Sequence, residues 1–240
     1  METVLAFGAL ATAGYLMASA DERVREPRTG TLVDYYVPGS TFEDISEALQ
    51  SGVRLIELHI YSDAQDEPVV SLKPHYDGHT TRSFVSACVD IVNDGFPCLD
   101  PLIVSLVLHT EKNFTINRVA YHLNHTVRKQ LIQGSVMELP LDSLANKLIL
   151  VSGNEARGTN LEPMINLSWS ESTLRRLTYQ QAAHPREASE LRSFTKDHIV
   201  LVAPDQAFSK YKVMDDVYSF GCQWNLCPLP TTTVGFIPRD

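Results

Sequence analysis

The chain has 240 residues, 44% of them hydrophobic, and a formal net charge of −9. That length and apolar content suffice for a substantial core and exclude a disordered chain. The acidic balance argues against nucleic acid as a partner and against broad attraction to anionic lipid, so any lipid contact has to arise from a local patch.

In chain order, the first feature is "VLAFGALATAGYLMASA", Val4 to Ala20, an uncharged and mostly apolar run followed by the polar stretch "DERVREPRTG". It reads as an apolar helix at the lower length limit for spanning a bilayer and above the usual core of a signal peptide. No Lys or Arg precedes it, whereas Arg23, Arg25 and Arg28 follow it. The arginine-bearing side tends to stay cytosolic, which favours an uncleaved single-pass anchor over a secreted form. A signal cleaved after Ala18-Ser19-Ala20 is the alternative, and the sequons at Asn113, Asn124 and Asn166 would be used only in a lumenal domain. The resulting division is an anchor or signal over 1–22, a polar linker over 23–30, and one domain over 31–240.

Within that domain, β-rich runs occur at 31–36, 55–61, 69–72, 102–108, 147–151, 164–167, 198–203 and 223–226. Period-2 alternation or continuous apolar character marks them as strands. "LIVSLVLH" (102–109) is nearly all apolar, as a parallel strand buried on both faces should be. Helical segments alternate with them. "TFEDISEALQSG" has a cap candidate in Thr41 and stops at Gly52; "TTRSFVSACVDIVNDG" stops at Gly95. "INRVAYHLNHTVRKQLIQG" carries Val119, Leu123, Val127 and Leu131 at four-residue steps and stops at Gly134. Eight strands interleaved with helices predict an α/β fold, a single (β/α)8 TIM-type barrel, with an open doubly wound sheet as the alternative. Barrel chemistry sits at the C-terminal strand ends, which directs attention to Glu57, His59, His75 and His109. The cysteines, Cys88, Cys98, Cys222 and Cys227, lack CxxC spacing and read as buried thiols. Pairing of Cys88 with Cys98, or of Cys222 with Cys227, would need an oxidising compartment.

The order of motifs resembles the catalytic barrel of the phosphoinositide-specific phospholipase C family, in both its X and Y halves, over roughly residues 31 to 228. "SGVRLIELHIYSDAQDEPVV" resembles the family's "GCRCVELDCWDG…PVV", and "DPLIVSLVLHTE" resembles "YPVILSLENHC". "LPLDSLANKLILVSG" resembles "LPSPEQLKGKILVKGK", and "FGCQWNLCPL" resembles the closing "W..GCQ.VALN". The resemblance implies phosphodiester cleavage by two histidines, assisted by a Ca²⁺ held by carboxylates.

Carried over position by position, most of that machinery is missing. "TGTLVDYYVPGS" stands where the family has "HNTY" and contains neither His nor Asn. Glu57 matches the first calcium carboxylate, His59 takes the place of the Asp beside it, and Val107 takes the place of the Glu in "LENH". His75 or His79 reaches the second catalytic position only after a shift in "SLKPHYDGHT", and "VSGN" replaces the phosphate lysines of "KGK". Ca²⁺ takes six to eight oxygens, which this set does not supply. Glu57, His59 and His75 are therefore the relic candidates for catalysis, with Glu57 the remaining metal candidate and no cofactor expected. A Zn²⁺ or Fe²⁺ site built from those three is the alternative chemistry; the plainer reading is that His59 simply bonds Glu57. Asp77-Gly78 reads as a turn, His109 as a loop or packing residue, and Tyr218 and Trp224 as packing.

The expectation is a membrane-anchored, catalytically inactive phospholipase C-like barrel serving as a structural or protein-binding module, in an organelle membrane or an enveloped virion. An active phosphodiesterase with an altered Glu/His site is the alternative.

Overall fold

The computed structural model describes residues 28–40, 44–72, 76–205, 215–226 and 235–239. The apolar run at Val4–Ala20, together with Thr41, His75 and Cys227, lies outside the described residues. No described helix is long and apolar enough to cross a membrane.

The core strands are β1 (Tyr35–Gly39), β2 (Leu55–Ser62), β5 (Leu102–Leu108), β6 (Leu148–Ser152), β7 (Leu167–Ser168), β8 (Leu174–Thr178), β9 (Ile199–Ala203) and β10 (Trp224–Leu226). Parallel pairing runs β2-β5-β6-β7 in one sheet and β1-β10-β9-β8 in the other. A parallel bridge between Ser40 and Ile56 joins the two sheets at β1 and β2. The seam between β7 and β8 carries no strand pairing among the described residues. The result is a mixed α/β, TIM-barrel-like arrangement. At the bridged seam the backbones approach closely: a Cβ on Gly39 would lie 2.6 Å from Leu55 Cγ and 2.8 Å from its carbonyl oxygen. Only glycine fits there.

Alternation of side chains sorts each strand. Leu55, Ile103, Ile149, Leu174, Ile199, Leu201 and Trp224 point inward and fill one cluster. Ile56, Leu58, Val104, Leu106 and Leu150 point outward beneath helices α1 (Ile45–Gln50), α2 (Phe84–Asp94) and α3 (Asn113–Thr126). In the second half, Val200 and Val202 face α4 (Tyr179–Ala183), α5 (Ala188–Asp197) and α6 (Asp215–Tyr218). Arg54, fully buried, donates to the carbonyls of Leu49 (3.1 Å) and Gly95 (2.6 Å), tying the C-terminal ends of α1 and α2 to the start of β2. A cation at helix C-termini complements their partial negative charge. At the N-terminal end of the barrel, the short strand β11 (Ile237–Pro238) pairs antiparallel with β1, and Phe236 packs edge-on to Tyr35.

Several sequence expectations shift. The run at 69–72 does form a strand, β3 (Pro68–Ser71), but it pairs antiparallel with β2 and then with β4 (Thr81–Ser83), a hairpin outside the barrel ring. The barrel strand in its stead is β8, which the sequence reading missed. The first strand begins later than expected because Leu32–Asp34 form a 3-10 turn, with the Asp34 carboxylate accepting from the Thr31 N–H at 2.7 Å. Helix α1 is capped by Asp44, whose side chain accepts from the Glu47 N–H at 3.0 Å. Helix α3 ends at Thr126 instead of running to Gly134, because Leu131 bridges to Leu148 and draws the chain onto the sheet. Cys88 and Cys98 are both free, one buried and one exposed.

Candidate active site at the barrel mouth

The alternation that sends Leu55 inward also sends Glu57 and His59 inward, one and two layers nearer the C-terminal end. Opposite Glu57 in register is Ser105, and opposite His59 is Val107. Glu57 is buried, and its carboxylate is met from three directions. Ser105 Oγ donates to Oε2 at 2.9 Å. Arg176, reaching across from β8, places Nη2 2.9 Å from Oε1 and Nε 3.4 Å from Oε2. His59 Nε2 stands 3.2 Å from Oε1. Burial alone would push this carboxyl up, but the His59 contact and the Arg176 guanidinium more than offset it and hold the group at about 2. Glu57 is thus an ionised carboxylate whose charge is neutralised by the protein itself.

The network continues outward. His59 Nδ1 lies 2.9 Å from His109 Nε2. Either imidazole can donate in this contact, according to the tautomer. Burial and the neighbouring His59 pull the His109 imidazole down to about 4, so it is neutral at pH 7. Tyr61 stacks on His109 with ring centroids 4.3 Å apart, and Tyr76 stacks on Tyr61 at 4.2 Å. Beneath Arg176 the Trp169 ring lies 5.6 Å from the guanidinium carbon. A Cβ on Gly153 would stand 2.6 Å from the Trp169 indole nitrogen, so the glycine of "VSGN" makes room for that ring.

Of the residues singled out from sequence, Glu57 and His59 do meet, and His75 lies outside the described residues. Asp77 makes a turn, accepting from the backbone N–H of His79 (2.8 Å) and of Thr80 (2.6 Å). His109 belongs to the site network. Arg176 went unnoticed in "LRRLT", where two adjacent arginines suggest a solvated strand. In the fold Arg175 points outward to Glu190, at 2.7 Å, while Arg176 points inward. The signal that could have found it is the need for a cation opposite a buried carboxylate.

The described residues do not supply the oxygen-rich cage that Ca²⁺ requires. Glu57 is engaged by a guanidinium, His59 offers nitrogen, and Val107 offers nothing. Among the described residues no group of three or more His, Cys, Asp or Glu is placed to hold a metal ion.

The family model for the phosphatidylinositol-specific phospholipase C X domain matches residues 31–153, just over half of the chain. The chain belongs to the phosphatidylinositol-specific phospholipase C X-domain family. Solved phospholipase C structures share its fold. PLC21 of L. pealei superposes with a TM-score of 0.68 at 13% identity, over 84% of this chain and 34% of that one. The calcium-dependent phosphoinositol-specific phospholipase C of a Pseudomonas sp gives 0.65 at 12% identity, over 87% and 95%. An Oleispira antarctica phosphodiesterase in complex with sn-glycerol-3-phosphate gives 0.54 at 12%, over 81% and 93%. The present chain therefore spans about a third of the length of PLC21 and nearly the whole of the bacterial phospholipase C. A comparison with curated protein sequences gives no match. The X-domain match covers β1 to β6 and so includes Glu57, His59 and His109; Arg176 lies in the half beyond it.

Proposed function

We propose that this phospholipase C-like domain does not turn over phosphodiesters and acts as a structural or binding module, held at a bilayer by the apolar run Val4–Ala20. One observation carries the reading: the Arg176 guanidinium grips Glu57 in the place where the family's calcium carboxylate would face its metal. An arginine there is a permanent charge that already neutralises the carboxylate, and a metal ion would have to displace both of its charge-assisted contacts. The absence of His and Asn from "TGTLVDYYVPGS" supports the same reading by leaving no general base on the first strand.

The test is turnover. The purified full chain is incubated with phosphatidylinositol and with glycerophosphodiesters in the presence of Ca²⁺, Zn²⁺ or EDTA. No release of phosphorylated product above the rate of the Glu57→Ala variant is expected. Metal-dependent turnover abolished by that substitution would overturn the proposal.

A second reading has its own observation, the relay of Glu57, His59 and His109. A carboxylate, an imidazole and a second imidazole in line could move a proton at the barrel mouth without a metal. That reading expects turnover indifferent to EDTA and lost in His109→Ala.

A further inference from the structure

Seven large hydrophobic residues are exposed among the described residues, and six of them, Val85, Val89, Val92, Leu99, Phe114 and Tyr121, come from α2, α3 and the loop after α2. The most exposed are Leu99 at 61%, Phe114 at 59% and Tyr121 at 48%. On α2 the valines recur at i, i+4 and i+7, which forms a stripe on the outer side of a helix whose inner side is already buried by Phe84, Cys88 and Ile91. Apolar side chains concentrated on one sector of a soluble domain mark a surface that meets something else.

Two features indicate what it meets. The first is charge. At the lower end of the sector, α2 and the end of α3 enclose a groove of about 680 Å³ lined by Val92, His125, Arg128 and Lys129. In a chain with net charge −9, this places two exposed cations beside an apolar stripe, and Tyr121 adds a ring with an apolar body and a polar tip. The second is the position of Arg28. Arg28 is pinned at the N-terminal end of the barrel, on the edge of this sector: its guanidinium bonds Asp100 at 3.0 Å, next to the exposed Leu99. Seven residues, 21–27, separate Arg28 from the end of the apolar run at Ala20. Fully extended they reach about 25 Å.

We infer that the α2–α3 side of the barrel is a bilayer-facing surface that rests against anionic lipid, with Leu99 and the valine stripe toward the acyl region and Arg128 and Lys129 toward the headgroups. The inference rests on the anchoring role proposed above for Val4–Ala20. That tether is short and Arg28 sits at the N-terminal end of the barrel, so this end and the adjoining part of the sector, with Leu99, Val92, Arg128 and Lys129, are the ones brought against the lipid. Helix α5, between β8 and β9, lies on the opposite side of the barrel ring from α2 and faces away.

The experiment uses the full chain on vesicles of phosphatidylcholine with and without phosphatidylserine, with bromine on the lipid chains as a quencher. A fluorophore is attached at Val89→Cys, or at Lys196→Cys on α5, in a background with Cys98 and Cys227 replaced by serine. Cys88 and Cys222 do not compete for label, since burial pushes both thiols up to about 12. Co-flotation reads anchoring, and quenching reads orientation. The expected result is quenching several-fold stronger at position 89 than at 196 on phosphatidylserine vesicles. It should fall roughly threefold in Arg128→Glu/Lys129→Glu, or at high salt, while flotation persists. Flotation with equal quenching at the two positions would overturn the inference and leave the anchor standing. So would quenching indifferent to phosphatidylserine, charge and salt. A chain that does not float overturns both. A stable dimer whose position 89 stays unquenched would reassign the face to a protein contact.

Discussion

Glu57 shows how much one buried charge depends on its partners. Arg176→Ala removes the guanidinium and leaves a carboxylate in the barrel interior with only Ser105 and His59 beside it. A cost of about 3–5 kcal/mol is expected in urea denaturation. Arg176→Lys should recover only part of it, because an ammonium cannot make the paired contact that the guanidinium fork makes. The same carboxylate sets a pH dependence. Its folded-state value of about 2 lies below the ordinary 4.5. The stability it contributes is therefore present in full above about 4.5 and lost as pH falls toward 2, amounting to about 3 kcal/mol. His109 is also depressed, from 6.5 to about 4. Its neutral form is favoured in the fold, so its contribution is present above 6.5 and fades as pH falls toward 4. Denaturation midpoints across pH should thus fall in two windows, and Glu57→Gln should erase the lower while widening the upper, because the Glu57 charge holds the His109 value up.

At the scale of elements, two junctions hold the barrel ring together and both can be tested. Gly39→Ala puts a methyl group against the Leu55 carbonyl at 2.8 Å. Thermal melts should show a loss of about 1–3 kcal/mol, since a backbone atom cannot step aside. Arg54→Met keeps the packing of the aliphatic stem but leaves buried carbonyls at Leu49 and Gly95 without their donor. A loss of about 2–4 kcal/mol is expected. The elements also show what a sequence can and cannot reveal. Strands β5, β6 and β9 were legible because continuous apolar runs are what a strand covered on both faces must have. The hairpin strand β3 passed for a barrel strand because a short β-rich run says nothing about the direction of its partner. Strand β8 was hidden because its inward position is an arginine paired with a carboxylate 119 residues away, and local patterning is blind to such a partner. Within the site, the Glu57–His59 face followed from period-2 alternation. The inclusion of His109 depends on register across β2 and β5, which a single chain does not declare.

Across the whole molecule, the two sheets are bridged at one seam and, among the described residues, left without pairing at the other, and the N-terminal end is closed by residues from both ends of the domain. Arg28 bonds Asp100, and Arg239 bonds the carbonyls of Val33 (2.7 Å) and Thr195 (2.8 Å). Phe236, buried against Tyr35, seals the same end. Phe236→Ala should cost about 3–5 kcal/mol, and hydrogen exchange should rise in β1 and β10 together, since both lean on that closure. This end lies away from the Glu57 network, so the substitution tests the integrity of the domain and not its chemistry.

Asn166 has a consequence in time. Its side chain is buried, accepts from the Leu150 N–H at 2.8 Å and donates to the carbonyls of Ile132 and Gly134, both at 2.9 Å. A sugar cannot be attached to an amide in that position once β6 and β7 have paired. In a secretory lumen, occupancy of the 166 sequon would record a race between glycosyl transfer and barrel closure. The exposed Asn113 and Asn124, modified at leisure, would supply the reference clock.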